Sequence, residues 1–276
     1  MPAVQSDIAK ALLRLHTEVR RTLASQLAGA DSDVERAPLL GKNRKGDRQR
    51  GFDVAADVAV RRLLEEEFGS GIILSEESED YCFGEAAPAY RFIVDPVDGS
   101  DNWARGLPLS SVAVAVLPAD GPIALDQVAA ALVGGLDEGT PIVATRGVGA
   151  YCGAECLQTS DTQRIAEAFI SSELNHFAPT AQVGELFSAA RAIRSYGCAS
   201  RAIALVASGA IDAHIDVRSR LTPESFLAAA AILCEAGGCV LDAQGNTLGK
   251  FEDLCQTTTI VATATEELAR EIVGAL

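Results

Sequence analysis

The 276-residue chain is short of several things, and each shortage removes a class of protein. It has no apolar run near the ~20 residues needed to cross a bilayer. The longest candidates, "SVAVAVLPA" and "FLAAAAILC", read as a buried strand and a buried helix. The N-terminus, "MPAVQSDIAKALLRLHTEVRR", lacks the basic-then-apolar layout of a secretory leader, so a cytoplasmic location is expected. Lysine is scarce, four against nineteen arginines, and the net charge is −15. Such a surface repels phosphates, which argues against a nucleic-acid partner. The same acidity fits a protein suited to concentrated salt, where self-repulsion is screened. Histidine is limited to three residues: His16 and His214 on helix and strand faces, His176 in a loop. None is placed as a nucleophile. The seven cysteines are odd in number and scattered. Neither Cys152/Cys156 nor Cys234/Cys239 has zinc spacing, so buried reduced thiols are expected. With nine Phe, four Tyr and one Trp spread along the chain, no aromatic shelf for a purine stands out.

What is present is an α+β half followed by an α/β half, divided here into residues 1–155 and 156–276. Residues 3–28 carry an amphipathic helical pattern ending near Gly29, and "GKNRKGDRQRG" reads as a mobile loop. "FDVAADVAVRRLLEEEF" is helical. "GIILSEES" is a strand entering an acidic turn, and "YRFIVD" is a strand that delivers Asp95 at its end. "SSVAVAVL", "DQVAAALVGG" and "PIVATR" follow as strands of an antiparallel sheet. From about residue 160, strands and helices alternate to the C-terminus, the pattern of a three-layer α/β unit. There is no long linker, low-complexity segment or internal repeat.

Four carboxylates fall at element ends: Asp53, Glu76, Asp95 and Asp98. Strand ends and turns are where a scaffold presents reactive groups. Like charges brought together there need a cation between them, and hard divalent ions take oxygen ligands of this kind. In "DPVDGSDNW" the carbonyl of Val97 is a further candidate ligand. Gly99 permits close backbone approach. Ser100 is a candidate N-cap whose neighbouring amides suit a phosphate. Metal ligands beside an anion site are what metal-assisted attack of water on a phosphate ester requires. Each acid alone also reads as a turn former or surface charge; the grouping points to chemistry.

These residues resemble the inositol monophosphatase superfamily. "SEES" is similar to its G-E-E-S element and "DPVDGSDNW" to its D-P-[IVL]-D-G-[ST]-x-N-[FY] signature. "GAYCGAECLQTS", "RSYGCASRAIALVASGAIDAHIDVR" and "EAGGCVLDAQG" resemble later family segments. The likeness runs from about residue 5 to the C-terminus. It implies a layered α-β-α-β-α sugar-phosphatase fold, two or three Mg²⁺ ions and a homodimer. It implies Mg²⁺-dependent hydrolysis of inositol-1-phosphate or fructose-1,6-bisphosphate by water. It implies that Glu76, Asp95 and the Val97 carbonyl hold a first metal, and Asp95 with Asp98 a second. Asp53 and the Ser100 hydroxyl would orient the water, and Gly99, Ser100 and Asp101 would contact substrate. Arg194 and Arg218 match substrate-contacting positions; as isolated arginines they read equally as structural ion pairs. The family places another metal-binding Asp where this chain has Ser225. Glu224 is adjacent, but neighbours on a helix point about 100° apart, so it replaces the missing ligand only by swinging round in the first turn. Two alternatives stay open: a nucleotide 3′-phosphatase acting on phosphoadenosine phosphate, and a degraded relative that binds a phosphorylated ligand.

Overall fold

The computed structural model describes residues 6–28, 39–43, 46, 48–137 and 139–276. In chain order the first elements are α1 (Asp7–Ala28), β1 (Leu39–Lys42), β2 (Arg48–Arg50), α2 (Gly51–Phe68), β3 (Gly71–Ser75) and β4 (Tyr81–Phe83). Next come β5 (Tyr90–Asp98), α3 (Ser100–Ala104), β6 (Ser111–Pro118), β7 (Ala130–Gly135), β8 (Ile142–Thr145), β9 (Gly149–Cys152) and β10 (Glu155–Cys156). The C-terminal part holds β11 (Phe169–Ser172), α4 (Ala181–Ala189), β12 (Ala192–Arg194), α5 (Ala199–Ala207) and β13 (Ala213–Leu221). It ends with α6 (Pro223–Glu235), β14 (Cys239–Leu241), β15 (Thr258–Thr263) and α7 (Glu266–Ala275).

Side-chain period explains the layering. Along β6, Val112, Val114 and Val116 face α1 and α2, while Ala113, Ala115 and Leu117 face α5 and α6. A strand buried on both faces reads as a continuous apolar run, as "SVAVAVL" does. On α1, Leu12, Leu15, Val19 and Leu23 recur at helical spacing and are all buried. Helix α2 stops at Gly69, which takes φ 70° and returns its N–H to the Glu65 carbonyl.

Eight strands form the larger sheet in the order β10-β9-β8-β7-β6-β5-β3-β4, antiparallel except for the β3–β5 pair. The smaller sheet runs β12-β11-β13-β15-β14, with β11 parallel to its two neighbours. Ile260 and Ala262 turn its inner face onto α5 and α6. Ala213, Ile215 and Val261 turn the other face onto α4 and α7, where Leu186, Leu268 and Ile272 meet them. The result is the layered α-β-α-β-α arrangement. Helix α6 lies between the sheets, and its run Ala228–Ala231 keeps both close.

Two expectations need correction. The stretch expected as a loop contains the β1–β2 hairpin, though residues 44, 45 and 47 lie outside the described residues, as do residues 3–5 and 29 of the first helix and its end. The cysteines are not generally buried: Cys82, Cys156, Cys234 and Cys255 are exposed, and only Cys198 is fully enclosed. All seven are free thiols. The short strands β4, β9, β10 and β14 carry too few residues for a clear period.

His214 is 2% exposed, with Nδ1 3.2 Å from the Ser171 hydroxyl. Burial, above all, lowers its pKa to about 4. The unfolded chain, with an ordinary imidazole near 6.5, therefore takes up a proton between pH 6.5 and 4 that the folded chain refuses, so stability falls as pH falls through this window. Denaturant titrations at pH 7 and pH 5 are expected to show wild type losing about 2 kcal/mol more than His214→Gln. Equal losses would place the imidazole in a solvated setting.

Candidate active site

Register brings the acidic residues together. Parallel pairing of β3 with β5 sets Ser75 opposite Val94, so Glu76 and Asp95, the next residue on each chain segment, lie at the same end of the pair. Asp95 and Asp98 are three apart, which in a regular strand would put them on opposite faces. Between them the register slips: Asp95 pairs with Ala113 and Asp98 with Ser111, so one extra residue is held on β5. This bulge re-aims Asp98 to the side of Asp95. Glu76, Asp95, Val97 and Asp98 all line one cavity of about 760 Å³. Gly99, Ser100, Asp101 and Ser225 complete its wall, and Lys42, Arg48 and Arg50 from the hairpin stand at its edge.

Asp53 sits behind this wall, fully buried at the start of α2. Its Oδ2 accepts the Arg50 N–H at 2.8 Å, half of a capping box. Its Oδ1 accepts the Ser100 hydroxyl at 2.9 Å; the Val97 carbonyl is an alternative acceptor at the same distance. Ser100 is therefore not the N-cap expected from sequence. Gly99 takes that place at φ 81°, and a Cβ there would meet Cys198 Cβ and the Leu109 carbonyl at 3.1 Å. Asp98 Oδ2 accepts Ser200 N–H at 2.7 Å, Ser200 Oγ–H at 2.6 Å and Cys198 Sγ–H at 3.2 Å. Asn102 Nδ2 donates to the Tyr196 carbonyl at 2.7 Å and the Leu109 carbonyl at 3.1 Å, tying the signature loop to the C-terminal part.

The electrostatics record a crowded site. Burial pushes the Asp53 carboxyl up to about 6, with the Glu76 charge adding to the shift. Burial and Glu76 likewise raise Asp98 to about 6 and Glu77 to about 7. Glu77, absent from the sequence-based set, lines the cavity and accepts Gln49 Nε2–H at 2.7 Å. Its "SEES" doublet was the available signal. Ser200, Cys198 and the hairpin cations were also missed, because nothing in their local pattern marks them.

The remaining candidates are placed elsewhere. Glu224 is 1% exposed and accepts the Thr222 hydroxyl; it does not line the cavity, whereas Ser225 does. The one-residue step around α6 separates them. Arg218 pairs with Asp216 at 2.7 Å and donates to the Asn175 carbonyl at 3.2 Å, one residue from the cavity wall. Arg194 is exposed, donates to its neighbour's carbonyl and lies 5.9 Å from the Phe169 ring. Asp101, at the mouth, pairs with Arg50.

Among the described residues no three His, Cys, Asp or Glu side chains are gathered into a ready coordination shell. The donor set still fits a hard divalent cation: carboxylates and a carbonyl converge on one cavity, and Mg²⁺ keeps several waters and uses few protein ligands.

Comparison with known proteins bears on what this cavity does. The inositol monophosphatase family model matches residues 4–276. A fructose-1,6-bisphosphatase/inositol-1-monophosphatase of Thermococcus kodakarensis is 27% identical, over 86% of this chain and 86% of the relative. An inositol-1-monophosphatase of Aeropyrum pernix is 29% identical, over 91% and 94%. The crystal structure of the extragenic suppressor protein suhB from Bartonella henselae superposes with a TM-score of 0.82 at 23% identity, covering 98% of each chain. A match along nearly the whole sequence, on the same layered fold, leaves one assignment: the chain belongs to the inositol monophosphatase family and is a phosphatase.

Proposed function

We propose that the chain is a Mg²⁺-dependent phosphomonoesterase of a small phosphorylated polyol or sugar, inositol-1-phosphate or fructose-1,6-bisphosphate. The observation that carries this reading is the shared cavity of Glu76, Asp95, Val97 and Asp98, with Ser100 in its wall and Asp53 behind. Glu76, Asp95 and the Val97 carbonyl would hold one ion, and Asp95 with Asp98 another. When bound, the ions supply Lewis acidity that lowers the pKa of water and shields the leaving oxygen. Asp53, deprotonated at neutral pH, holds the Ser100 hydroxyl as a donor. That leaves the Ser100 oxygen lone pair to accept a hydrogen bond from the attacking water and fix its direction. Lys42, Arg48 and Arg50 draw the phosphate in, and the Gly99 and Ser100 amides contact it. No enzyme nucleophile is needed.

Ser225 leaves one carboxylate fewer in the cavity than the family pattern has, and this favours a second reading: a relative that binds a phosphorylated ligand without turnover. A phosphate-release panel separates the readings. Inositol-1-phosphate, fructose-1,6-bisphosphate and phosphoadenosine phosphate are each offered with Mg²⁺ or with chelator, at low and high salt. Mg²⁺-dependent release from the first two is expected. Preference for phosphoadenosine phosphate would move the assignment to a nucleotide phosphatase. Silence with all three would support the binding protein. The same reading carries a homodimer and a cytoplasmic location as proposals.

A further inference from the structure

A second cavity, of about 630 Å³, opens at the far end of α6 from Ser225. Its volume falls within the ~300–1,000 Å³ typical of small-molecule sites. The floor is almost featureless: Ala131 from β7, Ala144 from β8, Ala231 from α6 and Val240 from β14, all of one core cluster. Three alanines and a valine make a smooth apolar surface, which suits a planar ring rather than a hydroxylated sugar. The rim is charged. Arg146 donates Nε–H to the Val128 carbonyl at 3.0 Å, which anchors the guanidinium there. No other hydrogen bond or ion pair engages it among the described residues, and none engages Lys250. The two carboxylates nearby differ. Glu235 is occupied by the amides of Gly147 at 2.9 Å and Gly149 at 3.0 Å, whereas Asp126 stands on the rim. The charges at the mouth balance, two cations against two carboxylates, but the Glu235 oxygens are taken by amides, while Arg146 and Lys250 keep donors for an incoming acceptor.

We propose that this cavity is a second binding site, for a small molecule with a flat apolar body and one anionic group held by Arg146 and Lys250. It is separate from the phosphate-ester site, and nothing in it depends on the phosphatase reading.

The probe is 8-anilinonaphthalene-1-sulfonate, followed by fluorescence, with uncharged N-phenyl-1-naphthylamine as the same body without the anion. Cys234 lines the cavity and is exposed, so its alkylation by iodoacetamide, mapped by peptide mass spectrometry, locates the probe. Saturable one-to-one binding is expected, with Cys234 protected and the exposed Cys82 and Cys255 unaffected. The double variant Arg146→Ala/Lys250→Ala is expected to weaken sulfonate binding about fivefold, as for two exposed ion pairs, and to leave the neutral probe unchanged. Ala231→Leu, which narrows the floor, is expected to weaken both. Unprotected Cys234, or unchanged sulfonate affinity in the double variant, overturns the proposal. So does protection of Cys234 by raising protein concentration alone, which would make a second copy the occupant. Phosphate release by the double variant is expected at the wild-type rate, so failure here and failure of the proposed phosphatase activity are read separately.

Discussion

Asp98→Ala is expected to lower kcat/KM for phosphomonoester hydrolysis by about 10³-fold, the scale of losing one preorganised electrostatic partner at a reacting centre. Asp98 is held from behind by three donors, Ser200 N–H, Ser200 Oγ–H and Cys198 Sγ–H, all on Oδ2. This fixes the carboxylate and leaves Oδ1 outside that set of donors, for the cavity. Truncation removes a charge from the cavity and leaves the buried donors short of an acceptor, at a folding cost of about 1–3 kcal/mol. Asp98→Asn separates the two effects, because its amide oxygen can still accept from Ser200. It is expected to fold like wild type and be as inactive as the alanine variant. Steady-state phosphate release, paired with thermal melts, gives both readings. Wild-type turnover by Asp98→Ala would remove Asp98 from the site.

The second large effect is on Ser100. Its hydroxyl is the described side-chain link between the cavity and the buried Asp53. Ser100→Ala is expected to lower kcat by about 10²-fold or more with KM nearly unchanged, because water orientation matters in the transition state and little in substrate binding. Ser100→Thr keeps the hydroxyl and is expected to retain activity within about tenfold of wild type. A merely structural serine would give the opposite pattern, with threonine and alanine equally impaired. Asp53→Asn adds a check, since its loss should not add to that of Ser100→Ala if the two act as one unit.

Much of this was legible in the sequence for identifiable reasons. The continuous apolar run in "SVAVAVL" and the helical spacing of Leu12, Leu15, Val19 and Leu23 each match the burial found. The strand leading to Asp95 followed from the apolar run before it, but β5 does not end there as expected; it continues to Asp98. The bulge that turns Asp98 toward Asp95 was not legible, since it depends on pairing with Ala113 and Ser111. The β1–β2 hairpin was hidden by a polar, glycine-bearing stretch without alternation, so the cations it brings to the cavity went unread. Ser200 and Cys198 are ordinary helix-start residues until the fold sets them against Asp98. The choice between Glu224 and Ser225 turned on one step around a helix, which composition does not decide. The cysteines show the limit of a compositional prior: four of seven are exposed.

The central claim is that carboxylates crowded into one cavity repel each other until a divalent cation joins them. Thermal stability of wild type and Asp95→Asn, each with chelator and with Mg²⁺ at about 100 times its Kd, tests it directly. Mg²⁺ is expected to raise the wild-type Tm by about 5–10 °C. Asp95→Asn, which keeps an acceptor for the Val97 N–H but removes a charge, is expected to match or exceed wild type in chelator and to respond little to Mg²⁺. A wild type indifferent to Mg²⁺, together with an Asp95→Asn variant less stable in chelator, would contradict the account.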